Sequence, residues 1–216
     1  HISCADIQSN LLETELFGYE KGAFTDAKTS KKGLFELANN GTLFLDEIDS
    51  MPTETQAKLL YFLDNKRIRR VGGTKEIETN VRLIAATNAD LSQLVQEKKF
   101  RKDLFFRLNM ISFQLPPLRE KKEDIKPLTN YFIELFNRTF NKSVNSITEK
   151  ALKKLKSYSW PGNVRELKNV IEYAMIFCNG NVITKDDVTL TNFITPNNSK
   201  YSFPFNEVPY LLRVDK

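Results

Sequence analysis

Gly-Thr-Leu-Phe-Leu-Asp-Glu-Ile-Asp, residues 41–49, sets the architecture that we expect for this chain of 216 residues. A short apolar run, residues 43–45, leads directly into Asp46 and Glu47. Such a run followed by acids is typical of a buried parallel strand with a ligand site at its carboxyl end. One carboxylate could hold Mg²⁺ beside a nucleotide, and the other could orient water. A strand that ends in a solvated acidic turn fits the same residues, since short apolar runs are ambiguous.

A second strand is predicted further along the chain, again with polar residues at its end. Residues 81–88, Val-Arg-Leu-Ile-Ala-Ala-Thr-Asn, predict a buried strand that ends in Thr87 and Asn88. A third candidate strand spans residues 111–119 and is closed by a pair of prolines. Helical patterns lie before and between the strands, over residues 5–17, 33–40 and 91–99, with another that starts near Pro52. Strands that alternate with helices favour an α/β fold with a parallel sheet.

From Glu123 onward the pattern changes to successive helices. They are predicted over residues 125–140, 148–158 and 163–177, with Thr148 and Asn163 as N-terminal caps. The tail from Thr195 onward shows no clear period. We therefore expect a core over residues 1–119, a helical lid subdomain over residues 120–190 and a tail of unknown role over residues 191–216.

The composition is that of an ordinary globular chain, with 41% hydrophobic residues, 27% charged residues and a net charge of +5. Cys4 and Cys178 are far apart and the single histidine is His1, which excludes an ordinary zinc site and a disulfide framework. No apolar run approaches the ~18 residues of a membrane span, and a reducing cytoplasm is the expected compartment. Because the chain begins at His1 rather than Met, we expect a fragment of a longer protein.

Residues 18–27 are predicted to form a loop, in which Gly18 and Gly22 bracket a polar stretch. Phe24 stands in this otherwise hydrophilic context. An exposed phenylalanine on such a loop indicates a protein partner, whereas a ring folded back onto its own domain is the commoner arrangement. Residues 67–75 are basic and predict a short strand followed by a Gly-Gly loop. This basic segment fits a contact with phosphates or acidic partners, and it also fits a solvated hairpin.

Arginines stand at three places where an anion could bind. Arg101 and Arg107 flank an apolar stretch, and the planar guanidinium suits phosphate. Two surface arginines beside a core-facing stretch explain the same spacing. Arg165 falls in the first turn predicted for a helix, where the helix dipole favours an acid. An anion from outside the chain or a plain salt bridge fits this position equally.

Taken in order, these segments resemble the central AAA+ ATPase domain of bacterial sigma-54-dependent transcriptional activators, the enhancer-binding proteins. The resemblance runs from about residue 2 to residue 190. The segments that carry it are Glu-Leu-Phe-Gly-Tyr-Glu-Lys-Gly-Ala-Phe-Thr-Asp-Ala (15–27), Gly-Thr-Leu-Phe-Leu-Asp-Glu-Ile (41–48), Arg-Val-Gly-Gly (70–73), Ala-Ala-Thr-Asn (85–88), Phe-Arg-Lys-Asp-Leu-Phe-Phe-Arg-Leu (100–108), Leu-Pro-Pro-Leu-Arg-Glu (115–120) and Trp-Pro-Gly-Asn-Val-Arg-Glu-Leu (160–167).

The resemblance implies an AAA+ parallel sheet flanked by helices, followed by a helical lid, and hydrolysis of ATP with Mg²⁺. Asp46 and Glu47 match the Walker B pair, in which the first residue acts on Mg²⁺ through water and the second polarises the attacking water. Thr87 and Asn88 match the sensor that reads the γ-phosphate.

The resemblance also implies contacts between proteins. Arg101 and Arg107 match paired arginine fingers that reach the ATP of the neighbouring subunit in a ring, which is a hexamer in the family. Arg165 matches a second nucleotide sensor in the lid. Residues 70–73 match a loop that moves with the sigma-54-binding loop. That binding loop corresponds to Gly22, Ala23, Phe24, Thr25, Asp26 and Ala27.

Three departures from the family pattern limit these expectations. The phosphate-binding loop Gly-x-x-x-x-Gly-Lys-Ser/Thr, or its family variant, is absent, so this chain by itself is not expected to bind ATP normally. Asp26 replaces the usual glycine of the sigma-54-binding loop. Ser3 stands where the family commonly has an asparagine that restrains the catalytic glutamate, which puts that restraint on Glu47 in doubt.

The expected function is the coupling of ATP hydrolysis to the remodelling of sigma-54 RNA polymerase for transcription activation. A general AAA+ remodeller is one alternative, and the Gly-Ala-Phe-Thr loop argues against it. A truncated regulator that does not hydrolyse ATP is the other, and the missing phosphate loop leaves it open. Nothing after residue 190 resembles a helix-turn-helix, so DNA binding by this chain is not expected.

Overall fold

The structure, a computed structural model, describes residues 1–190, apart from the side chains of Ser9 and Asn10. The predicted tail, residues 191–216, lies outside the described residues. The chain divides into two compact units, residues 1–113 and residues from Gln114 onward. Each unit has its own buried hydrophobic core. Within residues 1–190, every helix is too short or too polar to cross a bilayer.

The first unit mixes short strands with helices. Its elements in chain order are β1 (Ile2–Ser3), α1 (Ser9–Phe17), β2 (Gly18–Tyr19), β3 (Lys31–Lys32), α2 (Leu34–Leu37), β4 (Thr42–Asp46), α3 (Thr53–Asn65), β5 (Arg67–Arg69), β6 (Glu76–Glu78), β7 (Arg82–Ala85), α4 (Leu91–Gln96) and α5 (Lys102–Leu108). A short 3₁₀ helix, Ile48–Ser50, joins β4 to α3. The predicted helices over residues 5–17, 33–40 and 91–99 are confirmed over shorter ranges.

The central element of the first unit is β4, which lies between β1 and β7 in a parallel sheet. Side chains alternate between the two faces of a strand. Accordingly Leu43 and Leu45 are buried in the core, while Phe44 on the other face is only partly buried. The prediction of a parallel strand ending in acids is therefore confirmed. β7 is less buried than predicted, with Ile84 40% exposed, because β7 is one of the two outer strands of the described sheet.

The third predicted strand, over residues 111–119, is wrong. Residues 112–117 form no helix or strand, and a 3₁₀ helix covers Leu118–Glu120. Ile111 and Phe113 are 77% and 87% exposed. A strand needs a neighbour that takes its backbone hydrogen bonds, and within residues 1–190 no strand lies beside this segment.

A close backbone approach ends α1 and starts the loop that follows. Gly18 has φ +77°, and a Cβ atom on it would lie 2.4 Å from the carbonyl oxygen of Lys31. A Cβ atom on Gly33 would lie 2.3 Å from the backbone of Phe17. Because neither position can hold a side chain, the antiparallel pair β2–β3 closes tightly at the base of the loop over residues 20–30.

The second unit is largely helical. Its elements are α6 (Ile125–Phe140), β8 (Ser146–Ile147), α7 (Glu149–Ser157), α8 (Asn163–Phe177) and β9 (Val182–Ile183). The three predicted helices are confirmed, and the Thr148 hydroxyl caps α7 by accepting the backbone N–H of Ala151. Trp160 is fully buried in this core, and its indole N–H donates to the carbonyl of Leu155 at 2.8 Å.

The prediction that Asn163 caps α8 is wrong. Gly162 is the capping position, and its backbone N–H donates to the Glu166 carboxylate at 2.8 Å. Asn163 instead accepts the backbone N–H of Leu118 through its side-chain oxygen at 3.0 Å. Its side chain is therefore used by a distant segment of the same unit.

Candidate functional site

The carboxyl ends of β1, β4 and β7 meet at one edge of the sheet and gather the predicted acidic residues. Ser3 lies opposite Asp46 in the register, and Leu45 lies opposite Ala85. One carboxylate oxygen of Asp46 accepts the backbone N–H of Glu47 at 3.0 Å, and the other lies 3.7 Å from Nε2 of His1. The Asp46 side chain is 43% exposed, so it remains open to a ligand.

Glu47 directly follows β4 and has a left-handed conformation, with φ 51° and ψ 47°. This conformation is uncommon for residues other than glycine and is often found at functional sites. The Ser3 hydroxyl donates to Oε2 of Glu47 at 2.8 Å. The serine at this position therefore reaches the carboxylate despite its short side chain, and Glu47 is restrained in the structure.

Thr87 and Asn88 follow β7 at the same edge. The Thr87 hydroxyl donates to Asp49 at 2.5 Å and accepts the backbone N–H of Ala89 at 3.0 Å. Asn88 is exposed. Asp49 did not appear among the predicted site residues, although it belongs to the same acidic run, Asp-Glu-Ile-Asp, which was the signal that could have identified it.

The pKa of the buried Cys4 thiol is affected by the acidic residues at this edge. Burial, and after it the nearby carboxylates of Asp49, Asp46 and Glu47 in that order, together raise the pKa of Cys4 to about 11. Cys4 therefore stays protonated and unreactive at neutral pH. Within residues 1–190 the acids form no cluster of three or more metal-binding groups. The exposed Asp46 fits an ion such as Mg²⁺ that takes one carboxylate together with phosphate and water ligands.

Arg101 precedes α5 and Arg107 lies in its last turn, and both are paired with acids of the same chain. Arg101 donates to both oxygens of Asp103, at 3.0 and 2.7 Å. Nε of Arg107 lies 2.9 Å from Asp64. Both guanidinium groups remain partly exposed, at 38% and 46%. In the described part of the chain neither arginine contacts Asp46 or Glu47.

The surface around Arg101 is recessed. An open cavity of about 470 Å³ is lined by Arg101, Lys102, Asp103 and Phe106. Between the two arginines Leu104 is fully buried. The apolar stretch between the two arginines therefore faces the core, as expected for two surface arginines beside a core-facing stretch. The arginines themselves present cations to solvent.

Arg165 lies in the first turn of α8, in the second unit. It is exposed, and its side chain forms no ion pair or hydrogen bond with any of residues 1–190. The salt bridge that the sequence left open is thus not formed among residues 1–190.

The loop over residues 22–27 is folded on itself. The backbone N–H of Gly22 donates to Ala27 at 2.8 Å, and that of Ala27 donates to Phe24 at 3.0 Å. The Phe24 ring makes an edge contact with Tyr19 at 5.0 Å and is still 43% exposed. Asp26 is exposed, and its carboxylate pairs with no described residue. The loop thus presents an aromatic ring and an unpaired carboxylate to solvent.

The turn over residues 70–73 supports this loop. Val71 exchanges backbone hydrogen bonds with Gly18 and Glu20, at 2.9 and 3.0 Å. A Cβ atom on Gly72 would lie 2.7 Å from the Cβ atom of Ala23, so the turn and the loop are in close contact. The predicted strand over the basic segment is confirmed as β5, which forms a hairpin with β6.

Arg70 is the centre of an ion-pair network at the base of the loop. Its guanidinium donates two hydrogen bonds of 2.7 Å to Glu36 and one of 3.1 Å to Glu20. The Arg70 and Glu36 side chains are only 17% and 9% exposed. Of the alternatives that the sequence left open for this basic segment, Arg70 meets acidic partners, and they lie in the same chain. No local pattern in the sequence indicated Glu36.

Replacing Glu36 by glutamine should lower the stability of the first unit by about 1–2 kcal/mol at pH 7, because it removes a charged acceptor of two short hydrogen bonds. The hydrogen bonds from Arg70 lower the pKa of Glu36 from its ordinary value of 4.5. A carboxyl group with a lowered pKa stabilises the folded state above its unfolded pKa, and this contribution is lost as the pH falls.

Urea unfolding measures this effect. The difference in unfolding free energy between wild type and Glu36→Gln should shrink steadily as the pH falls below about 4.5. Glu78→Gln, at an exposed position whose carboxylate has no described partner, is the matched control. A difference that is absent at pH 7, or that stays constant down to pH 3, would contradict the assignment.

Two known protein families match this chain, one in each part of the sequence. The family described as "Sigma-54 interaction domain" matches residues 1–114, and the "AAA+ ATPase lid domain" family matches residues 119–201. The DNA-binding transcriptional activator HyfR of Escherichia coli K12 is 52% identical over 180 residues, which are 83% of this chain and 27% of that protein. The regulatory protein AtoC of the same strain is 49% identical over 187 residues, which are 87% of this chain and 41% of AtoC.

A solved protein structure has a similar fold. The crystal structure of NtrX from Brucella abortus in complex with ATP superimposes with a TM-score of 0.78 at 36% identity. The match covers 87% of this chain and 41% of that one. The chain thus spans 27% and 41% of the two curated relatives named above.

Proposed function

Because the chain belongs to the sigma-54 interaction domain family of AAA+ ATPases, we propose that it couples ATP hydrolysis to the remodelling of RNA polymerase that carries sigma-54. The predicted fold class, a parallel sheet flanked by helices and followed by a helical lid, is confirmed. The observation that best supports the proposal is an acidic strand edge and a loop with an exposed Phe24 in the same unit. In this proposal residues 1–119 are the ATPase core and residues 120–190 the lid of a cytoplasmic protein.

The strand edge is the proposed place of ATP hydrolysis. Asp46 would hold Mg²⁺ through water, and the ion when bound neutralises charge on the transferred phosphoryl group. Glu47, which accepts the Ser3 hydroxyl, would orient the attacking water. Thr87 and Asn88 follow the neighbouring strand, where a hydroxyl and an amide can sense the γ-phosphate.

The proposed hydrolysis depends on a ring of subunits, a hexamer by resemblance to the family. Arg101 and Arg107 are partly exposed cations that could reach the ATP of a neighbouring subunit. Arg165, which lacks a partner within residues 1–190, is suited to sense the nucleotide from the lid. Hydrolysis would then require assembly, because one subunit binds the ATP and the next supplies the positive charge.

The loop over residues 22–27 is the proposed contact with sigma-54. Its exposed ring at Phe24 can fill an apolar pocket on a partner, as aromatic side chains commonly do in interfaces. The network of Arg70 with Glu36 and Glu20 ties the base of this loop to the body of the unit. A change of nucleotide state in the unit could therefore be transmitted to the loop through this network.

Replacing Phe24 by alanine should separate the two activities. Transcription from a sigma-54 promoter should fall about 30-fold or more, the effect of losing an aromatic side chain worth ~2 kcal/mol at the centre of an interface. ATP hydrolysis should stay within about twofold of wild type, because the ring is not part of the proposed nucleotide site. Phosphate release and promoter-specific transcription by the complete gene product measure the two quantities.

Tyr131→Ala provides the control for Phe24→Ala, since Tyr131 is a 60% exposed aromatic residue in the second unit. It should change neither activity. Loss of both activities in Phe24→Ala would show that the loop is structural, and normal transcription would remove Phe24 from the proposed interface.

A further inference from the structure

Helix α3 is joined firmly to the start of α5, where Arg101 lies. Gln56 of α3 is fully buried, and its amide donates to the carbonyls of Met51 and Lys99 at 2.8 and 3.1 Å. Its side-chain oxygen accepts the backbone N–H of Arg101 at 2.8 Å. Because a buried amide is costly to leave without partners, the two bonds to Lys99 and Arg101 hold α3 against the segment that leads into α5.

The other end of α3 carries the acid that meets Arg107. Asp64 lies in the last turn of the helix, and its Oδ1 atom is 2.9 Å from Nε of Arg107. Both side chains are about half exposed, at 46% for Arg107 and 47% for Asp64. Among residues 1–190, no hydrogen bond occupies the terminal nitrogens of Arg107.

We propose that Asp64 is a positioning residue that holds Arg107 ready for the ATP of a neighbouring subunit. This inference rests on the proposed role of Arg107 in hydrolysis. Asp64 contacts the guanidinium at Nε, at the inner edge of the group, and leaves the terminal nitrogens available to a second anion. A guanidinium can bind a carboxylate on one side and a phosphate on another, because its donors are arranged in a fixed planar fork.

Asp64 would favour the binding of Arg107 to phosphate because it restricts a flexible side chain before the phosphate arrives. An arginine loses rotamer freedom when it binds, and a carboxylate that already orients it removes part of that cost. Since phosphate oxygens carry more negative charge than one carboxylate, the exposed Asp64 pair does not prevent the second contact.

The contrast with Arg101 supports the assignment. Arg101 is held by Asp103, two residues along the chain, through both Nε and Nη2. Arg107 is held from another helix, which follows the acidic strand β4 through the short 3₁₀ helix Ile48–Ser50. Asp64 therefore ties Arg107 to α3, the helix that follows Asp46 and Glu47 of the same subunit.

The test is steady-state ATP hydrolysis by the complete gene product at saturating ATP and at protein concentrations that give full assembly. Asp64→Asn should lower kcat about two- to fivefold, the range that an exposed ion pair can supply, with KM for ATP unchanged. Asp64→Glu should retain wild-type kcat because it keeps the charge. Glu54→Gln, an exposed acid on α3 without a described partner, should also match wild type.

A double-mutant cycle separates positioning from a general structural effect. In an Arg107→Lys background, Asp64→Asn should cause no further loss, since it acts only through the arginine. The same fractional loss in both backgrounds, or an unchanged or increased kcat in Asp64→Asn alone, would overturn the inference while leaving the role of Arg107 intact. Full turnover by Arg107→Lys would overturn that role and the inference together.

Discussion

Replacing Arg107 by alanine is expected to lower ATP hydrolysis by the assembled protein about 10³-fold or more, because an arginine that reaches a neighbour's phosphates contributes roughly 10³–10⁵ in rate. The side chain is 46% exposed, so its loss should not disturb the hydrophobic core. Binding of ATP should change little, since the arginine acts mainly on charge that develops in the transition state. Phosphate release at saturating ATP measures the effect in the complete gene product.

Arg138→Ala is the matched control, because Arg138 is an exposed arginine whose ion pair with Glu134 lies within one helix of the second unit. It should hydrolyse ATP at the wild-type rate. Mixing Arg107→Ala subunits with Glu47→Gln subunits should restore turnover, because an interface can then combine an intact Glu47 with an intact Arg107. Failure of the mixture to recover turnover would argue that Arg107 acts within its own subunit.

Replacing Glu47 by glutamine is expected to reduce turnover roughly 10²–10⁴-fold, the contribution of a positioned general base. Glutamine has nearly the same size and can still accept the Ser3 hydroxyl that meets Glu47 at 2.8 Å. The strand edge should therefore keep its shape, and affinity for ATP should be retained. Equilibrium binding of ATP and phosphate release, measured on the same preparation of the complete gene product, distinguish loss of chemistry from loss of binding.

Glu78→Gln serves as the control for Glu47→Gln, since it makes the same change at an exposed residue whose carboxylate has no described partner. Unchanged turnover in Glu47→Gln would remove Glu47 from its proposed role. Loss of ATP binding together with turnover would mean that Glu47 organises the site and does not act on water.

Local pattern was enough to predict the elements that bury an apolar face. The run of residues 43–45 predicted β4 and its acidic end, because an apolar run that leads directly into acids is a pattern of neighbouring residues. The three helices of the second unit followed from helical periodicity and, for α7, from the cap at Thr148. The resemblance to a known family then connected residues that are far apart in the chain.

The errors arose where a segment depends on a distant partner. Residues 111–119 have the composition of a strand, but no described strand takes their backbone hydrogen bonds. Asn163 is a good cap by type, and its side chain is instead used by Leu118, which lies 45 residues away in the sequence. Local sequence shows which structure a residue prefers. It does not show which distant group will bind that residue in the folded unit.

The sequence by itself determined the parallel acidic strand, the helical second unit and the residue types of a nucleotide site, because these follow from periodicity, composition and motif order. Only the tertiary structure decided which side chains hold one another. It placed Ser3 on Glu47 and Asp64 against Arg107, and it bound Arg70 to Glu36. The physical reason is that an ion pair or hydrogen bond depends on a few ångströms of separation, which packing sets and sequence spacing does not.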